Sequence, residues 1–301
     1  MSEMTIAGQA ELEKTSAARS SVIAAVGLTA IKVVVGILTG SLGILAEAAH
    51  SGLDLVAALV TWFAVRASGK PADKDHHFGH GKIENLSALF ETFLLLVTCI
   101  WIIYESIQRL FIHPVEVDAS IWAFLVMAVS IVIDATRSKI LYAAARKHNS
   151  QALEADALHF STDIWSSSVV IGGLLLVKVA EWTGIKWFHQ ADAVAALGVA
   201  VIVIYVSVQL GARTIKGLLD TAPDGLAEKV EIAAESVPGV YDCHAVRVRA
   251  SGPDLFVDVH ITVDAGMDVA AAHAITEQVE AAVRLVAGNA DVTVHVEPQE
   301  H

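Results

Sequence analysis

The sequence predicts a two-part chain: a bundle of six transmembrane α-helices, then a small cytoplasmic α+β domain of element order αββαβ. Three observations carry this. The 301 residues are 54% hydrophobic with a mean hydropathy of +0.57, too apolar for an ordinary soluble domain. The apolar residues concentrate before residue 217, in runs of roughly 20, the length a helix needs to cross hydrocarbon. Beyond residue 220 the pattern turns to alternating β-branched stretches between amphipathic segments, and about 80 residues suffice for one small domain.

The elements follow in order. Residues 1–18 are polar and mixed in charge; they read as a mobile tail without the basic start and short apolar core of a cleavable leader. The helical domain is assigned to residues 19–216 and the cytoplasmic domain to 217–301. The first span, 20–38, is interrupted only by Lys32 and ends in a turn at Gly40–Ser41. The second runs to about residue 65, and a polar loop of residues 66–82 follows. The third covers 83–110, before a break at Pro114. The fourth covers 119–142 and the fifth 152–179. A loop with Trp182 and Trp187, suited to a membrane interface, leads to the sixth, 191–210. Basic residues crowd the connections on one side, as in Arg66, Lys70, Lys74, Lys82, Arg146 and Lys147. The other side has Arg109, Lys178 and Lys186. That bias puts both termini in the cytoplasm. In the C-terminal part a helix at 226–236 stops at Pro238–Gly239. Strands at 244–250 and 255–263 flank the turn Ser251–Gly252–Pro253–Asp254, and a helix at 269–286 precedes a last strand at 291–296.

Several functions are disfavoured. A net charge of −13 argues against a nucleic-acid partner. Cys99 and Cys243 make no disulfide framework. No HExxH motif or paired base and nucleophile suggests an enzyme.

The chemistry lies where charge interrupts apolar helix. Residues 45–56, LAEAAHSGLDLV, carry His50 and Asp54, four apart and so on one helix face. Residues 158–165 repeat the spacing with His159 and Asp163. The bland alternative is two structural His–Asp pairs, but ionisable groups at membrane depth are costly without a ligand. Two imidazoles and two carboxylates are enough to close a tetrahedral site for a divalent cation such as zinc. Such a site binds too tightly for rapid conduction through a channel. Glu47, one turn before His50, either accepts a hydrogen bond from it or faces the opposite mouth of the pathway. Lys32 either snorkels or pairs with an acid such as Glu47. Asp134 either partners Arg137, Lys139 or a neighbouring helix, or serves a proton path. The loop offers Asp73, Asp75, His76, His77 and His80, a density of aspartate and imidazole that suits a divalent cation. Cys243, beside His244, is either a soft ligand or a small buried hydrophobe.

The stretches GSLGILAEAAHSGLD (40–54), FGHGKIENL (78–86) and HFSTD (159–163), with a histidine-bearing tail ending His295-Val296-Glu297-Pro298, occur in this order over nearly the whole chain. Together they resemble the cation diffusion facilitator family. The resemblance implies a homodimer in the cell inner (plasma) membrane that exports divalent cations from the cytoplasm in exchange for protons, by alternating access. It implies that His50, Asp54, His159 and Asp163 carry the cation, and that Asp73, His76 and His80 form a peripheral site. It also implies a binuclear site of His244, His260, His273, His295 and Glu297 near the dimer interface of a metallochaperone-like domain. Many members have aspartate where Glu297 stands. Lys82 and Asp220 match positions that form a charge contact. Zinc is the implied cargo and structural ion, with iron(II), cobalt(II) and cadmium(II) as alternatives. A sensor or scaffold of the same fold that transports little is the competing reading.

Overall fold

The computed structural model describes residues 6–111, 121–183, 191–288 and 290–299. Six long helices come first: α1 (Ile6–Thr39), α2 (Leu42–Ser68), α3 (Lys82–Phe111), α4 (Ile121–His148), α5 (Gln151–Thr183) and α6 (Ala191–Leu218). Then come α7 (Leu226–Glu235), β1 (Asp242–Ser251), β2 (Asp254–Val263), α8 (Val269–Ala287) and β3 (Asp291–Pro298). The break expected at Pro114, Trp187 and Lys186 lie outside the described residues.

Among the described residues, α1, α2, α3 and α6 each contain a stretch long and apolar enough to cross a membrane. With α4 and α5, of 28 and 33 residues, they make a helical transmembrane domain. Gly40, at φ +66°, takes the left-handed turn between α1 and α2. Ser41 then caps α2 by accepting the Ile44 N–H.

The N-terminal segment departs from the expected tail. α1 begins at Ile6, so residues 6–18 continue the first helix instead of preceding it. Lys14 is only 4% exposed and its Nζ lies 2.9 Å from Glu84 on α3. Lys14, one of the polar residues that made this segment look solvated, is held by a partner 70 positions away, which local pattern does not show.

The chain divides into two compact units, Met1–Gly69 with Ile83–Thr214, and Lys70–Lys82 with Ile215–His301. In the first, α1, α2, α4 and α5 share a core of small and apolar side chains, among them Ala18, Ala58, Ala145, Leu153 and Phe160. Small residues let apolar helices approach closely where water offers no driving force. α3, α5 and α6 meet at Ala88, Ala155 and Leu210.

In the second unit the sheet order is β1-β2-β3, with β1 antiparallel and β3 parallel to β2. Alternation along β2 buries Val257, Val259, Ile261 and Val263 in a core with Val230 of α7 and Val279 and Val283 of α8. Each such side chain stabilises the fold by about 1.5–3 kcal/mol. Phe256, Asp258 and His260 point to the other face. The loop of residues 70–82 belongs to this unit, not to the helical one its sequence position suggests. Phe78 packs edge-on against Phe256, ring centroids 5.2 Å apart, and the Arg249 guanidinium lies 3.7 Å from the Phe78 ring centroid.

Candidate cation sites

In the helical unit, α2 and α5 bring both HxxxD pairs to one place. His159 Nε2 lies 3.1 Å from Asp54 Oδ1 and 3.7 Å from Asp163 Oδ2. His50 Nε2 lies 3.8 Å from Asp163 Oδ1 and 3.9 Å from Asp54 Oδ1. Each imidazole thus stands between the same two carboxylates. Ligand bonds of ~2.0–2.1 Å in a tetrahedron place neighbouring donors about 3.3 Å apart; the imidazole–carboxylate separations bracket this, while the set whose donor atoms all lie within 4.8 Å of one another is His50, Asp54 and Asp163, with His159 outside it. Asp54 and His159 are buried, whereas the His50 side chain is 40% exposed. Two imidazole donors and two carboxylates suit a borderline divalent cation better than the all-oxygen shells of magnesium or calcium.

Glu47 is held by Lys32 rather than by His50. It faces Lys32, whose Nζ is 3.2 Å from Glu47 Oε2 and 2.7 Å from Ser51 Oγ. Lys32 therefore pairs with an acid instead of snorkelling. Asp134 accepts from Arg137 Nη1 at 3.1 Å.

In the loop, Asp73, His76 and His80 offer donor atoms that all lie within 4.8 Å of one another. Asp73 Oδ1 accepts the N–H groups of Asp75 and His76 at 2.9 and 2.8 Å. These backbone donors, the His76 N–H foremost, hold the Asp73 carboxyl below its usual range. This turn aims the His76 and His80 imidazoles back at the same carboxylate, 3.3 Å away in each case. It leaves His77 turned to the Lys74 carbonyl at 3.0 Å.

On the sheet, strand register does the work. His244 pairs with His260 across β1–β2, and His260 with His295 across β2–β3. Three histidines therefore stand in one cross-strand row, and Glu297, two residues beyond His295, lies on the same face. Glu297 Oε1 is 2.9 Å from His260 Nδ1 and 3.7 Å from His295 Nε2. Glu297 Oε2 is 3.3 Å from His244 Nε2. The His260 hydrogen bond, more than the neighbouring imidazoles, draws the Glu297 carboxyl below its usual range. Asp242, 2.8 Å from His244 Nδ1, raises the His244 imidazole. A register shift follows His244, where Ala245 takes φ +50°. This bulge re-aims the strand beside the cluster.

His273, expected with this set, stands apart from it. On α8 its Nε2 is 3.8 Å from Glu277, and its Nδ1 is 3.3 Å from the Thr276 hydroxyl. A residue at the start of a surface helix shares no register with the strand row. Cys243 is 2% exposed in the sheet core, and burial pushes its thiol up to about 11; it is a packed side chain, not a thiolate ligand. Lys82 Nζ is 2.9 Å from Asp220 Oδ1 and donates to the Leu218 carbonyl at the end of α6, 3.3 Å away.

Sequence reasoning passed over three acids in the helical unit. Glu84, Glu91 and Asp156 are each 0% exposed. Glu84 accepts from Lys14, from Ser68 Oγ at 3.0 Å and from Ser150 Oγ. Glu91, inside the apolar run LFETFLLLV, carried the same signal that exposed His50 and Asp54.

An apolar helical unit holding a ring of two imidazoles and two carboxylates, with further imidazole–carboxylate clusters outside it, is the layout of a membrane protein that handles divalent cations. Residues 18–219 match the family described as "Cation efflux transmembrane domain". Residues 222–299 match "Cation efflux protein, cytoplasmic domain". Among curated relatives, the chain is 33% identical over 292 residues to the cation-efflux pump FieF of Yersinia enterocolitica, covering 96% of this chain and 94% of the relative. It is 34% identical over 284 residues to that of Cronobacter sakazakii, covering 94% and 92%. The chain belongs to the cation diffusion facilitator family, and is a cation efflux transporter rather than an enzyme.

Proposed function

We propose that the chain is a zinc/proton antiporter that works as a homodimer by alternating access in the lipid bilayer of the inner membrane, with both termini cytoplasmic. The observation that supports this most is the ring of His50, Asp54, His159 and Asp163, with imidazole–carboxylate separations of 3.1–3.9 Å. Zinc is the cargo that four nitrogen and oxygen donors in this arrangement suit. Ligands bind a cation only when deprotonated, so loading releases protons. Histidine titrates near neutral pH, which lets the same groups take protons back once the cation has left. Asp73, His76 and His80 are proposed as a peripheral cation site. His244, His260, His295 and Glu297 are proposed as a site in the dimerising domain, where a bound cation holds the domain together.

The test is uptake into vesicles holding the purified full chain. Zinc uptake should be saturable and driven by a pH gradient, and both Asp54→Ala and Asp163→Ala should abolish it. Transport persisting in both variants sinks the site assignment. Running iron(II), cobalt(II) and cadmium(II) in the same assay tests the choice of zinc.

A further inference from the structure

Native interiors rarely leave a buried polar atom unpaired, and a lone carboxylate is among the costliest groups to bury. Yet among the described residues Glu91 Oε2, Asp156 Oδ1, Ser87 Oγ and His159 Nδ1 are buried without a hydrogen-bond partner. Glu91 and Asp156 are both 0% exposed. Glu91 uses its other oxygen to accept from the Thr61 hydroxyl of α2. Asp156 uses its other oxygen to accept from Ser21 of α1 at 3.2 Å. Both acids sit beside the contact of α3 with α5: Ala88, one turn before Glu91, and Ala155, next to Asp156, pack in one buried cluster with Leu210 of α6.

The surrounding charges are accounted for. From α4, Arg137 donates Nη1 to Asp134 at 3.1 Å, and Nε and Nη2 to Ser21 at 3.3 and 3.1 Å. Asp156 also feels Arg137, and from the ring His159 and Asp54. Lys32 of α1 is held by Glu47 and Ser51. No lysine, arginine or histidine forms an ion pair with Glu91 or Asp156 among the described residues. Among the described residues, no cluster of three or more donors that could hold a metal ion includes Glu91 or Asp156. A proton needs only one free oxygen.

We propose that Glu91 and Asp156 form a proton-binding station, distinct from the four residues that hold the cation, through which protons leave and return to the ring. The inference rests on the antiport reading above. Its placement fits. Asp156 lies three residues from His159, ~4.5 Å along α5, and Thr61 lies seven residues from Asp54, ~10 Å along α2. Both offsets run toward the α2–α3 loop end of the helices. When a cation displaces a proton from the ring, a free carboxylate oxygen of the pair takes it and one negative charge is discharged. The proton then passes to water at the helix ends.

Glu91→Gln tests this, since the amide keeps an acceptor for Thr61 but holds no exchangeable acid proton. In vesicles, zinc affinity and zinc–zinc exchange at equal pH, which moves no net proton, should match the unaltered protein. Uptake driven by a pH gradient should fall by roughly 100-fold, the scale of a positioned proton-transfer group, with part restored in Glu91→Asp. Equal loss of both fluxes makes Glu91 structural and overturns the proposal, as does an unchanged driven flux. Asp54→Ala, run alongside, should lose both fluxes, so failure of the antiport reading shows separately. An infrared measurement reads the station without transport. The C=O band of a protonated carboxylic acid should be present in the unaltered protein and weaker in Glu91→Gln; its persistence undiminished overturns the assignment.

Discussion

Lys14–Glu84 and Lys82–Asp220 are ion pairs of the same length, 2.9 Å, in different surroundings. The first lies in the helical unit with side chains 5% and 0% exposed. The second lies in the C-terminal unit with side chains 37% and 44% exposed. Distance therefore says little about what either contributes; the medium decides. A charge stripped of water depends on its partner, whereas an exposed charge has water as a substitute. The cation clusters repeat the contrast. The ring on α2 and α5 holds Asp54 and His159 in the interior, while the row on the sheet stands on an open face.

The largest expected effect breaks the buried pair. Lys14→Met leaves the Glu84 carboxylate with only the Ser68 and Ser150 hydroxyls, and should cost about 3–5 kcal/mol of stability. The double variant Lys14→Met with Glu84→Gln should recover most of that, because no uncompensated charge remains. Thermal melting of the full chain in detergent measures both. If Lys14→Met melts no earlier than Lys82→Met, burial is not the deciding factor.

The next effect separates residues within the sheet site. His260→Ala should weaken cation binding there by more than the ~10–100-fold that loss of a supporting partner costs. His273→Ala should leave it unchanged. Competition with a chromophoric chelator reads this in a chain whose ring and loop aspartates are replaced by alanine. Weakening by His273→Ala brings the helix residue back into the site.

These cases also show what was legible in the sequence. The order αββαβ and the HxxxD pairs were readable because alternation and four-residue spacing are local signals. In the loop, the resemblance narrowed five candidates to Asp73, His76 and His80, and the Asp73 turn, which orients His77 toward the Lys74 carbonyl, supplies a physical reason that local composition does not. The row of three histidines needed strand register, and register between strands more than 30 residues apart is not written in either strand alone. His273, on α8, lies outside this row. The Lys14–Glu84 pair was missed because Lys14 fell in the expected tail and Glu84 at the polar start of a span, and only packing joined them.

A smaller effect is the pH response of the sheet cluster. His244 is raised above 6.5 by Asp242, so its contribution to cation-free stability is complete below pH 6.5 and is lost as pH rises through the raised value. Glu297 is depressed below 4.5, foremost by His260, so its contribution is present above pH 4.5 and is lost as pH falls through the lowered value. The chelator-treated unit should be most stable between these limits. Cation affinity should instead keep rising through the upper limit, because His244 must shed its proton to bind. Melting with chelator and calorimetric zinc titration, across the same pH series, should therefore trend in opposite directions there. Parallel trends mean that His244 is not a ligand.

The smallest effect belongs to the exposed pair. Lys82→Met should cost at most about 1 kcal/mol, the ordinary worth of a surface ion pair. Asp220 adds a backbone element, since it sits at φ +59° just past the end of α6. Asp220→Gly removes the same ion pair but supplies the residue that adopts this conformation without strain. It should therefore melt at or above the temperature of Lys82→Met, although both variants lack the ion pair. Lys82→Met also loses the hydrogen bond to the Leu218 carbonyl, which widens the difference in the same direction. A lower melting temperature for Asp220→Gly requires the Asp220 carboxylate to act in a way that its exposed contact with Lys82 does not account for. The contrast between buried and exposed charge would then fail at its weaker end.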